Sequence, residues 1–285
     1  MNNKVALITG ASTGVGFETA LLLASKGYKV YATMRNFEKK DALKEAANDQ
    51  NVEVIVKQLD VTSTTSINDC VQEIMKDEKN IDILINNAGA GFIRTTEQAT
   101  EDEIMWQLNV NLMGVIRTTK AVLPIMRKNK SGHIVNISSV GGLVGQPFNE
   151  IYCATKFGVE GYTESLASYV QPHFNIKFTS IEPGGIHSEF ANNALAQFEL
   201  NGGLVDDEYK PLLESYIGGA QSRQGNYAYQ TSKEVSEIIG KCVEMQDPPI
   251  RMRTSQWAEE FTKLKTQADP TGKLLQAEVA KLVGK

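Results

Sequence analysis

One short span of the chain contains three side chains that together can move a proton to or from an alcohol oxygen. Tyr152 and Lys156 are four residues apart, so a helix would place both on one face. Ser139 follows an apolar run over residues 133–137 that is typical of a buried strand, and a glycine-rich loop separates it from Tyr152. The span therefore predicts a strand, a loop and a helix start that bring the serine hydroxyl opposite the phenol.

The chemistry of this trio depends on how the environment changes the pKa of Tyr152. A free tyrosine titrates near pH ~10, which is too high for a base at neutral pH. A nearby lysine ammonium favours the phenolate, and a bound nicotinamide cation would act in the same direction. Ser139 could hold the substrate oxygen where negative charge develops. The Tyr-x-x-x-Lys spacing is common in helices, however, so the remaining chain decides whether the trio is functional.

The N-terminal region has the pattern of a dinucleotide-binding unit. Residues 5–9 form an apolar run, a glycine-rich turn follows, and an apolar-periodic helix then ends near Gly27. Glycines let the backbone approach a pyrophosphate, while the helix N-terminus supplies N–H groups. The spacing is G-x-x-x-G-x-G instead of the commoner G-x-G-x-x-G, so a plain glycine turn is the alternative. The residues predicted to contact a dinucleotide here are Gly10, Ser12, Thr13, Gly14, Val15 and Gly16.

The residues after the second predicted strand, residues 29–33, indicate which dinucleotide binds. An acid at this place would hold the adenosine ribose diol, whereas an arginine would pair with a 2′-phosphate. The chain has Met34 followed by Arg35, and the hydroxyls of Ser12 and Thr13 could bind the same phosphate. We therefore predict NADP(H) in preference to NAD(H). The alternative is that Arg35 is only a solvated surface residue.

Two further strand ends carry candidate cofactor contacts. Asp60 and Val61 follow a strand predicted over residues 53–59, and the Asp60 carboxylate could accept a hydrogen bond from an adenine amine. The alternative role for Asp60 is a helix cap. A strand over residues 81–85 ends in Asn-Asn-Ala-Gly, where Asn87, Ala88 and Gly89 suit a close approach to a cofactor or a hydrogen bond between strands.

Asn111 is a polar residue in an unusual position. The capping-box pattern Thr100-x-x-Glu103 predicts a long helix that continues to about Met126. Asn111 lies inside this helix, although asparagine is a poor helix former. Its presence there therefore requires a specific role.

The order of these elements predicts the fold class. Alternating strands and helices specify an α/β protein, a doubly wound parallel sheet (Rossmann fold) with helices on both faces. Ligands of such sheets bind in the crevice at the carboxyl ends of the strands, where all of the loops above should meet. We predict one domain over residues 1–285, with a substrate lid at about 190–230, an edge strand at 248–253 and a helical C-terminal extension at about 255–285.

The composition excludes several classes of function. With 41% hydrophobic and 22% charged residues, the chain has the composition of an ordinary globular protein, and its net charge of −5 argues against a nucleic-acid partner. Three scattered cysteines and three histidines predict a reducing compartment and no metal site. With no signal-peptide pattern and no apolar run of ~20 residues, we expect a cytoplasmic protein without a membrane span.

Taken together, these motifs resemble the short-chain dehydrogenase/reductase family from residue 4 to about residue 250. The matching pieces are T-G-A-S-T-G-V-G at 9–16, D-V at 60–61, N-N-A-G at 86–89, Y-C-A-T-K at 152–156 and P-G-G-I-H-S at 183–188. The resemblance implies a catalytic tetrad of Asn111, Ser139, Tyr152 and Lys156. It also implies that a nicotinamide is bounded by Pro183, Gly184, Ile186 and Ser188. Ser188 stands where the family usually has threonine, which keeps the hydroxyl.

Within this family, residues 30–35 and the stretch that begins at Ser139 are most similar to 17β-hydroxysteroid dehydrogenases and their retinol dehydrogenase relatives. In those relatives the arginine at the position of Arg35 goes with NADP(H). The resemblance implies that Lys156 lowers the pKa of Tyr152 and binds the nicotinamide ribose. It further implies that Asn111 holds a water linked to Lys156, and that the chain forms a homodimer or homotetramer through the helices carrying Asn111 and Tyr152.

The primary hypothesis is an NADP(H)-dependent oxidoreductase that interconverts an alcohol and a carbonyl compound. Apolar residues near the trio predict a bulky hydrophobic substrate, although each of them could equally be an ordinary core residue. One alternative is a broad-specificity carbonyl reductase for small aldehydes and ketones, and another is a non-catalytic protein that senses NADP(H). The predicted substrate-lining residues are Phe92, Ser139, Leu143, Val144, Phe148, Tyr152 and Phe190.

Overall fold

The computed structural model describes residues 4–226, 229–274 and 277. Parts of the predicted lid (227–228) and of the predicted C-terminal extension (275–276 and 278–285) lie outside the described residues. A seven-stranded sheet forms the centre of the molecule, with strand order β3-β2-β1-β4-β5-β6-β9 and every neighbouring pair parallel. These strands are β1 Val5–Ile8, β2 Lys29–Met34, β3 Val54–Gln58, β4 Ile83–Asn86, β5 Gly132–Ile137, β6 Ile176–Glu182 and β9 Arg251–Arg253.

Helices cover both faces of this sheet, which confirms the predicted doubly wound α/β fold. On one face pack α3 (Thr64–Glu78), α5 (Gly114–Asn129) and α6 (Glu150–Phe174), and on the other pack α1 (Gly14–Ser25), α2 (Lys40–Asp49) and α9 (Ser232–Glu244). Because side chains alternate along a strand, β1 contributes to both cores. Val5 and Leu7 belong to the first core, and Ala6 and Ile8 belong to the second.

The helix predicted from Thr100 to about Met126 is not continuous. The capping box of Thr100 and Glu103 begins α4 (Glu101–Leu108), but a π-helical turn over Asn109–Met113 separates it from α5. Asn111 lies in this turn and is fully buried. Single π turns inside helices often occur at functional sites, because they change the direction of individual side chains.

The C-terminal third adds elements around the carboxyl ends of the strands. The region predicted as a lid contains two helices, α7 (Glu189–Leu200) and α8 (Lys210–Asn226). A small parallel pair, β7 (Ile186–His187) and β8 (Gln230–Thr231), connects the loop after β6 to the start of α9. The strand β9 pairs only with β6 and is the predicted edge strand, and α10 (Gln256–Thr266) follows it.

In the part of the chain that the structure describes, no helix combines the length and the apolar character required to cross a bilayer.

Candidate active site

The loops at the carboxyl ends of the strands surround one large cavity of about 940 Å³. All of the predicted cofactor-binding residues except Gly16 line it, and so do Ser139, Tyr152 and Lys156. Asn111 lies behind the cavity wall. The crevice therefore brings together residues that are as far apart in the sequence as Gly10 and Ser188.

The glycine-rich turn between β1 and α1 is shaped by two close backbone contacts. A Cβ atom on Gly10 would lie 2.7 Å from the Ala88 Cα atom, and Gly10 has a φ of +68°. A Cβ atom on Gly16 would lie 2.4 Å from the Asn87 Nδ2 atom. Gly16 therefore lets the turn pack on the loop after β4 and does not itself face the cavity.

The start of α1 meets the requirements of a pyrophosphate. Thr13 is the N-cap residue, but its side chain makes no capping hydrogen bond, so no side chain competes for the first N–H groups of the helix. Gly14 has a φ of +63°, which favours glycine. Bare backbone, amide donors and the positive end of a helix dipole together fit a dinucleotide phosphate.

The side chain of Asn87 joins the loop after β4 to the glycine-rich turn. Its Nδ2 atom donates to the carbonyl oxygens of Thr9 and Gly10, at 3.0 and 2.9 Å. The Thr9 hydroxyl accepts from the backbone N–H groups of Asn87 and Ala88, both at 3.0 Å. The neighbouring Asn86 side chain donates to the Asn136 Oδ1 atom of the next strand at 2.8 Å. The two amides thus make hydrogen bonds between strands, one of the two roles predicted for them.

The end of the cavity beside β2 and β3 is polar and carries positive charge. Arg35 is exposed there, and Asn36 and Lys39 also line this end. Asp60 lines the opposite side, where its Oδ1 atom accepts hydrogen bonds from the N–H group and the hydroxyl of Thr62, at 2.9 and 2.7 Å. The alternative role of Asp60 as a helix cap is wrong, because Ser63 caps α3.

At the other end of the cavity, the Ser139 hydroxyl lies beside the Tyr152 phenol, close enough to influence its pKa. Ser139 Oγ also accepts from the Gly141 N–H group at 3.0 Å, and a Cβ atom on Gly141 would lie 3.2 Å from the Tyr152 ring. The Lys156 Nζ atom is 5.7 Å from the centre of the Tyr152 ring and donates to the Ile137 carbonyl oxygen at 2.8 Å. The strand end, loop and helix therefore hold the trio as the sequence predicted.

Burial shifts the pKa values of Tyr152 and Lys156 in opposite directions. It raises the pKa of Tyr152 to about 12, while the neighbouring Ser139 hydroxyl acts in the opposite direction. Burial also lowers the pKa of Lys156 to about 8, with the Glu160 charge opposing it. Desolvation is the largest cause of both shifts, and the Lys156 ammonium is bound to the Ile137 carbonyl, so the lowering of the Tyr152 pKa by Lys156 stays a prediction. Tyr152 therefore keeps its proton at neutral pH.

Both polar atoms of the Asn111 side chain form hydrogen bonds with the backbone of the loop after β4. The Oδ1 atom accepts from the Ala90 N–H group at 2.8 Å, and the Nδ2 atom donates to the Ala90 carbonyl at 2.9 Å. A Cβ atom on Gly89 would lie 3.4 Å from Asn111 Oδ1 and 3.7 Å from Lys156 Nζ. Asn111 thus fixes this loop beside Lys156.

The predicted substrate-lining residues divide into two groups. Ser139, Tyr152 and Phe190 line the cavity, and the Phe190 ring lies edge-on to the Tyr152 ring at 6.0 Å between centroids. Phe92, Leu143, Val144 and Phe148 do not line it. Phe92 and Leu143 are buried, and the Phe148 ring packs against Tyr216 at 5.4 Å. The aromatic residues that line the cavity without having been predicted are Trp106, Tyr216, Tyr229, Trp257 and Phe261.

A pair of buried carboxyl groups lies directly behind this site. Glu160, one turn after Lys156 on α6, and Glu182, at the end of β6, are both almost inaccessible to solvent. Burial raises the pKa of both groups, and the Glu160 charge raises the pKa of Glu182 further, whereas hydrogen bonding to Glu182 acts to lower the pKa of Glu160. Arg253 on β9 lies 3.2 Å from Glu182 and 3.0 Å from Glu259.

The family of this chain is identified by comparing its sequence with those of known protein families. Residues 4–198 match the family model described as short chain dehydrogenase. The chain therefore belongs to the short-chain dehydrogenase family, as the motifs indicated. The matched region contains all four residues of the predicted tetrad and ends within α7.

Characterised relatives place the chain near the predicted branch. It is 38% identical to the 3-ketodihydrosphingosine reductase of Bacteroides thetaiotaomicron, over 89% of this chain and 88% of the relative. It is 36% identical to retinol dehydrogenase 8 of Bos taurus, over 95% of this chain and 87% of the relative. It is 34% identical to 17-beta-hydroxysteroid dehydrogenase type 1 of Homo sapiens, over 95% of this chain and 83% of the relative.

Solved structures of the same fold contain different nicotinamide cofactors. An actinorhodin polyketide ketoreductase with NADPH has a TM-score of 0.76 and 26% identity, over 88% of this chain and 95% of that chain. A short-chain dehydrogenase/reductase from Burkholderia phymatum with NAD has a TM-score of 0.79, over 93% of this chain and 94% of that chain. Because its sequence identity is only 22%, it shows the fold alone. The fold accommodates both cofactors, so the choice depends on the side chains of each protein.

Proposed function

We propose that this protein is an NADP(H)-dependent oxidoreductase that interconverts a carbonyl compound and an alcohol, with a bulky hydrophobic substrate. One observation carries the proposal. Ser139 and Tyr152, with Lys156 beside them, line the same cavity as a phosphate-binding turn and Arg35. An oxidoreductase of this kind needs its proton-transfer group and its dinucleotide site in the same cavity.

The nicotinamide dinucleotide, when bound, donates or accepts the hydride. The residues that would hold it are the turn at 10–16, Arg35, Asp60, the loop at 87–89 and the loop at 183–188. Ser139 and Tyr152 hold the substrate oxygen between them, and Tyr152 gives this oxygen its proton during reduction or takes it back during oxidation. Because burial keeps Tyr152 protonated, the phenol is ready as the acid for reduction. Lys156 supplies positive charge beside the phenol as the proton leaves.

The preference for NADP(H) is inferred from Arg35. Arg35 and Lys39 both line the cavity end beside β2, where a 2′-phosphate would need compensating positive charge. No acidic side chain of the cavity lining follows β2 directly, whereas a carboxylate at that position would bind a ribose diol. The NADPH-containing ketoreductase of the same fold is consistent with this inference.

The substrate class is inferred from the apolar wall near Tyr152. Phe190, Ala194 and Leu200 of α7 line the cavity together with Trp257 and Phe261 of α10. The names of the three relatives refer to a sphingosine ketone, retinol and a hydroxysteroid, all of which have large hydrophobic parts. A broad-specificity reductase for small carbonyl compounds is the second candidate, because the cavity also admits small substrates.

The test is initial-rate kinetics with NADPH and with NADH, followed at the nicotinamide absorbance. The panel should contain a long-chain 3-ketone, steroid ketones, retinal and small aldehydes. We expect turnover with NADPH and a higher kcat/KM for the bulky members. Turnover of small carbonyls alone would favour the second candidate, and tight NADPH binding with no turnover would favour a sensing role. Cytoplasmic location, self-association and the lid role of residues 190–230 stay predictions.

A further inference from the structure

The helix α7 lies across the segment that follows β4. Near its start, α7 packs on Gly91, where a Cβ atom would lie 2.7 Å from the Ala194 Cβ atom and 3.0 Å from the Phe190 ring. Its last turn lies over Arg94, only three residues further along the same segment. The contacts of α7 with this segment therefore extend from its first turn to its last.

Arg94 is a buried cation directed at the C-terminal end of α7. Only 3% of its surface is exposed. The guanidinium group donates to the carbonyl oxygens of Asn201 at 2.6 Å and of Gly203 at 3.4 Å, which follow the last residue of α7. It also lies 5.2 Å from the centre of the Phe198 ring and 3.5 Å from the Glu103 carboxylate. A cation at this end of a helix satisfies free carbonyl groups and opposes the negative end of the helix dipole.

Neighbouring side chains of the same segment bind the residues that follow α7. Gln98 Nε2 donates to the Asp207 carboxylate at 2.6 Å, and the Tyr209 hydroxyl donates to the Glu97 carboxylate at 2.9 Å. Asn201 Nδ2 donates to the Glu103 carboxylate at 2.5 Å. The Arg94 side chain is almost completely buried and binds two carbonyl groups, whereas each of these other side chains contributes a bond that is exposed or half-buried, so Arg94 is the central contact of this group.

We propose that Arg94 is a specificity-determining positioning residue, which fixes α7 and thereby sets the apolar wall opposite Tyr152. The same helix carries Phe190 beside Tyr152 at one end and the two carbonyl acceptors of Arg94 at the other. A rigid helix transmits a displacement of its C-terminal end to Phe190. Arg94 does not line the cavity, so it acts only through α7.

The effect differs between large and small substrates. A bulky hydrophobic substrate needs the wall formed by Phe190, Ala194 and Leu200, whereas a small carbonyl compound needs only Ser139, Tyr152 and the cofactor. Loss of the Arg94 contacts should therefore raise KM for bulky substrates and leave kcat and KM for small ones nearly unchanged. This kinetic consequence rests on the proposed function, while the fixing of α7 does not.

The test combines hydrogen exchange with kinetics on the full chain, using Arg94→Met and Arg94→Lys. Arg94→Met keeps the length of the side chain and removes its charge and donors. We expect amides of residues 190–205 to exchange roughly tenfold faster or more, with those of β4 and β5 unchanged, since hydrogen bonds from a charged group are lost. Arg94→Lys, which keeps the charge but has fewer donors, should give an intermediate result and serves if Arg94→Met does not fold.

Two control variants separate this role from general destabilisation. Lys210→Met removes the exposed ion pair with Asp206 in the same region and should change neither exchange nor kinetics. Arg251→Met removes a mostly buried arginine that contacts Glu164 and Asp269 away from α7, and should destabilise the protein without selective exchange in 190–205. Unchanged exchange at 190–205 in both Arg94 variants would overturn the proposal.

The kinetic outcomes then decide the specificity role. A KM increase of roughly tenfold for bulky substrates with unchanged small-substrate kinetics would support it. Faster exchange with equal changes for both substrate classes would refute it. If the unmodified protein turned over no carbonyl compound, the proposed function would fail, but the exchange result would still decide whether Arg94 fixes α7.

Discussion

The buried carboxyl groups behind the active site predict an unusual dependence of stability on pH. Glu160 is 5% exposed and Glu182 is inaccessible, and they lie beside the Ser138 and Ser180 hydroxyls. Neither Glu160 oxygen has a hydrogen bond of normal geometry, and neither do the two serine hydroxyls. A buried carboxyl group in this position is costly to ionise, and burial raises the pKa of Glu160 to about 7.

The sign of the effect follows from proton binding. An unfolded glutamate titrates near 4.5, so between about pH 4.5 and 7 the folded state keeps a proton that the unfolded chain has released. The contribution of Glu160 to stability is therefore complete below pH 4.5 and is lost as the pH rises to about 7. At about 1.4 kcal/mol per pH unit, the loss over this interval is roughly 3 kcal/mol. A glutamine has the shape of the protonated acid and does not titrate.

The assay is chemical denaturation of the unmodified protein and of Glu160→Gln at half-unit steps from pH 4.5 to 8. The difference between the two free energies of unfolding should move by roughly 3 kcal/mol in favour of the variant between pH 4.5 and 7, and then level off. Groups away from Glu160, such as buried His133, are common to both proteins, whereas Glu182 loses in the variant a charge that raises its pKa. As a control, Glu73→Gln should give a nearly constant difference over this range, because Lys57 lowers the pKa of Glu73 and its titration in the folded protein lies below pH 4.5. Parallel curves for Glu160→Gln would refute the reasoning.

Three other predictions concern the proposed reaction and its cofactor. Tyr152→Phe should reduce kcat by about 100-fold or more while NADPH binding, measured by fluorescence, stays within a few-fold; a smaller loss would exclude Tyr152 as the proton donor. Arg35→Ala should weaken NADPH binding roughly 10- to 100-fold and leave NADH binding unchanged, and equal weakening of both would contradict the 2′-phosphate contact. Gly16→Ala should lower thermal stability and dinucleotide affinity, because its Cβ atom would lie 2.6 Å from the Gly10 carbonyl oxygen. Gly161→Ala, at an exposed position of α6 with open space, should leave the affinity unchanged and raise stability slightly, because alanine favours a helix more than glycine does.

The fold and the cofactor side could be predicted because their determinants are local. Each strand, glycine turn and helix cap is encoded within a few residues, and parallel strands then bring their ends together without further information. The capping box at Thr100 and the end of the first helix near Gly27 are examples that the structure confirms. The interruption at Asn109–Met113 differs, because a π turn has no local sequence pattern.

The substrate side could not be predicted, because it is assembled from distant segments without motifs. Tyr216 reaches the cavity from α8, within the predicted lid, but no motif distinguishes it from the other residues there. Trp257 and Phe261 reach the cavity from α10, and nothing in their neighbourhood marks them as cavity residues. Phe148 is predicted to line the substrate pocket because it is close to Tyr152 in the sequence. Its backbone has a φ of +59°, however, and its ring packs on Tyr216 outside the cavity lining. Proximity in the sequence does not determine the direction of a loop side chain.

Glu160 is a different case, since a pattern could have identified it. Tyr152, Lys156 and Glu160 are spaced at four-residue intervals, so they share one face of α6, and that face is directed at the sheet. A carboxylate on the face that carries a buried lysine should have been predicted to be buried as well. Its partner Glu182 could then have been found at the end of the adjacent strand.

Asn111 shows how the two sides of the site are held in one arrangement. In an ordinary helix an interior asparagine is unfavourable, but in the π turn its side chain meets both backbone groups of Ala90. Asn87 binds the other part of the same loop to Thr9 and Gly10. The loop between them is therefore fixed by side-chain amides from both directions. Since Gly89 of this loop lies against Lys156, the glycine-rich turn and Lys156 are positioned through one set of hydrogen bonds.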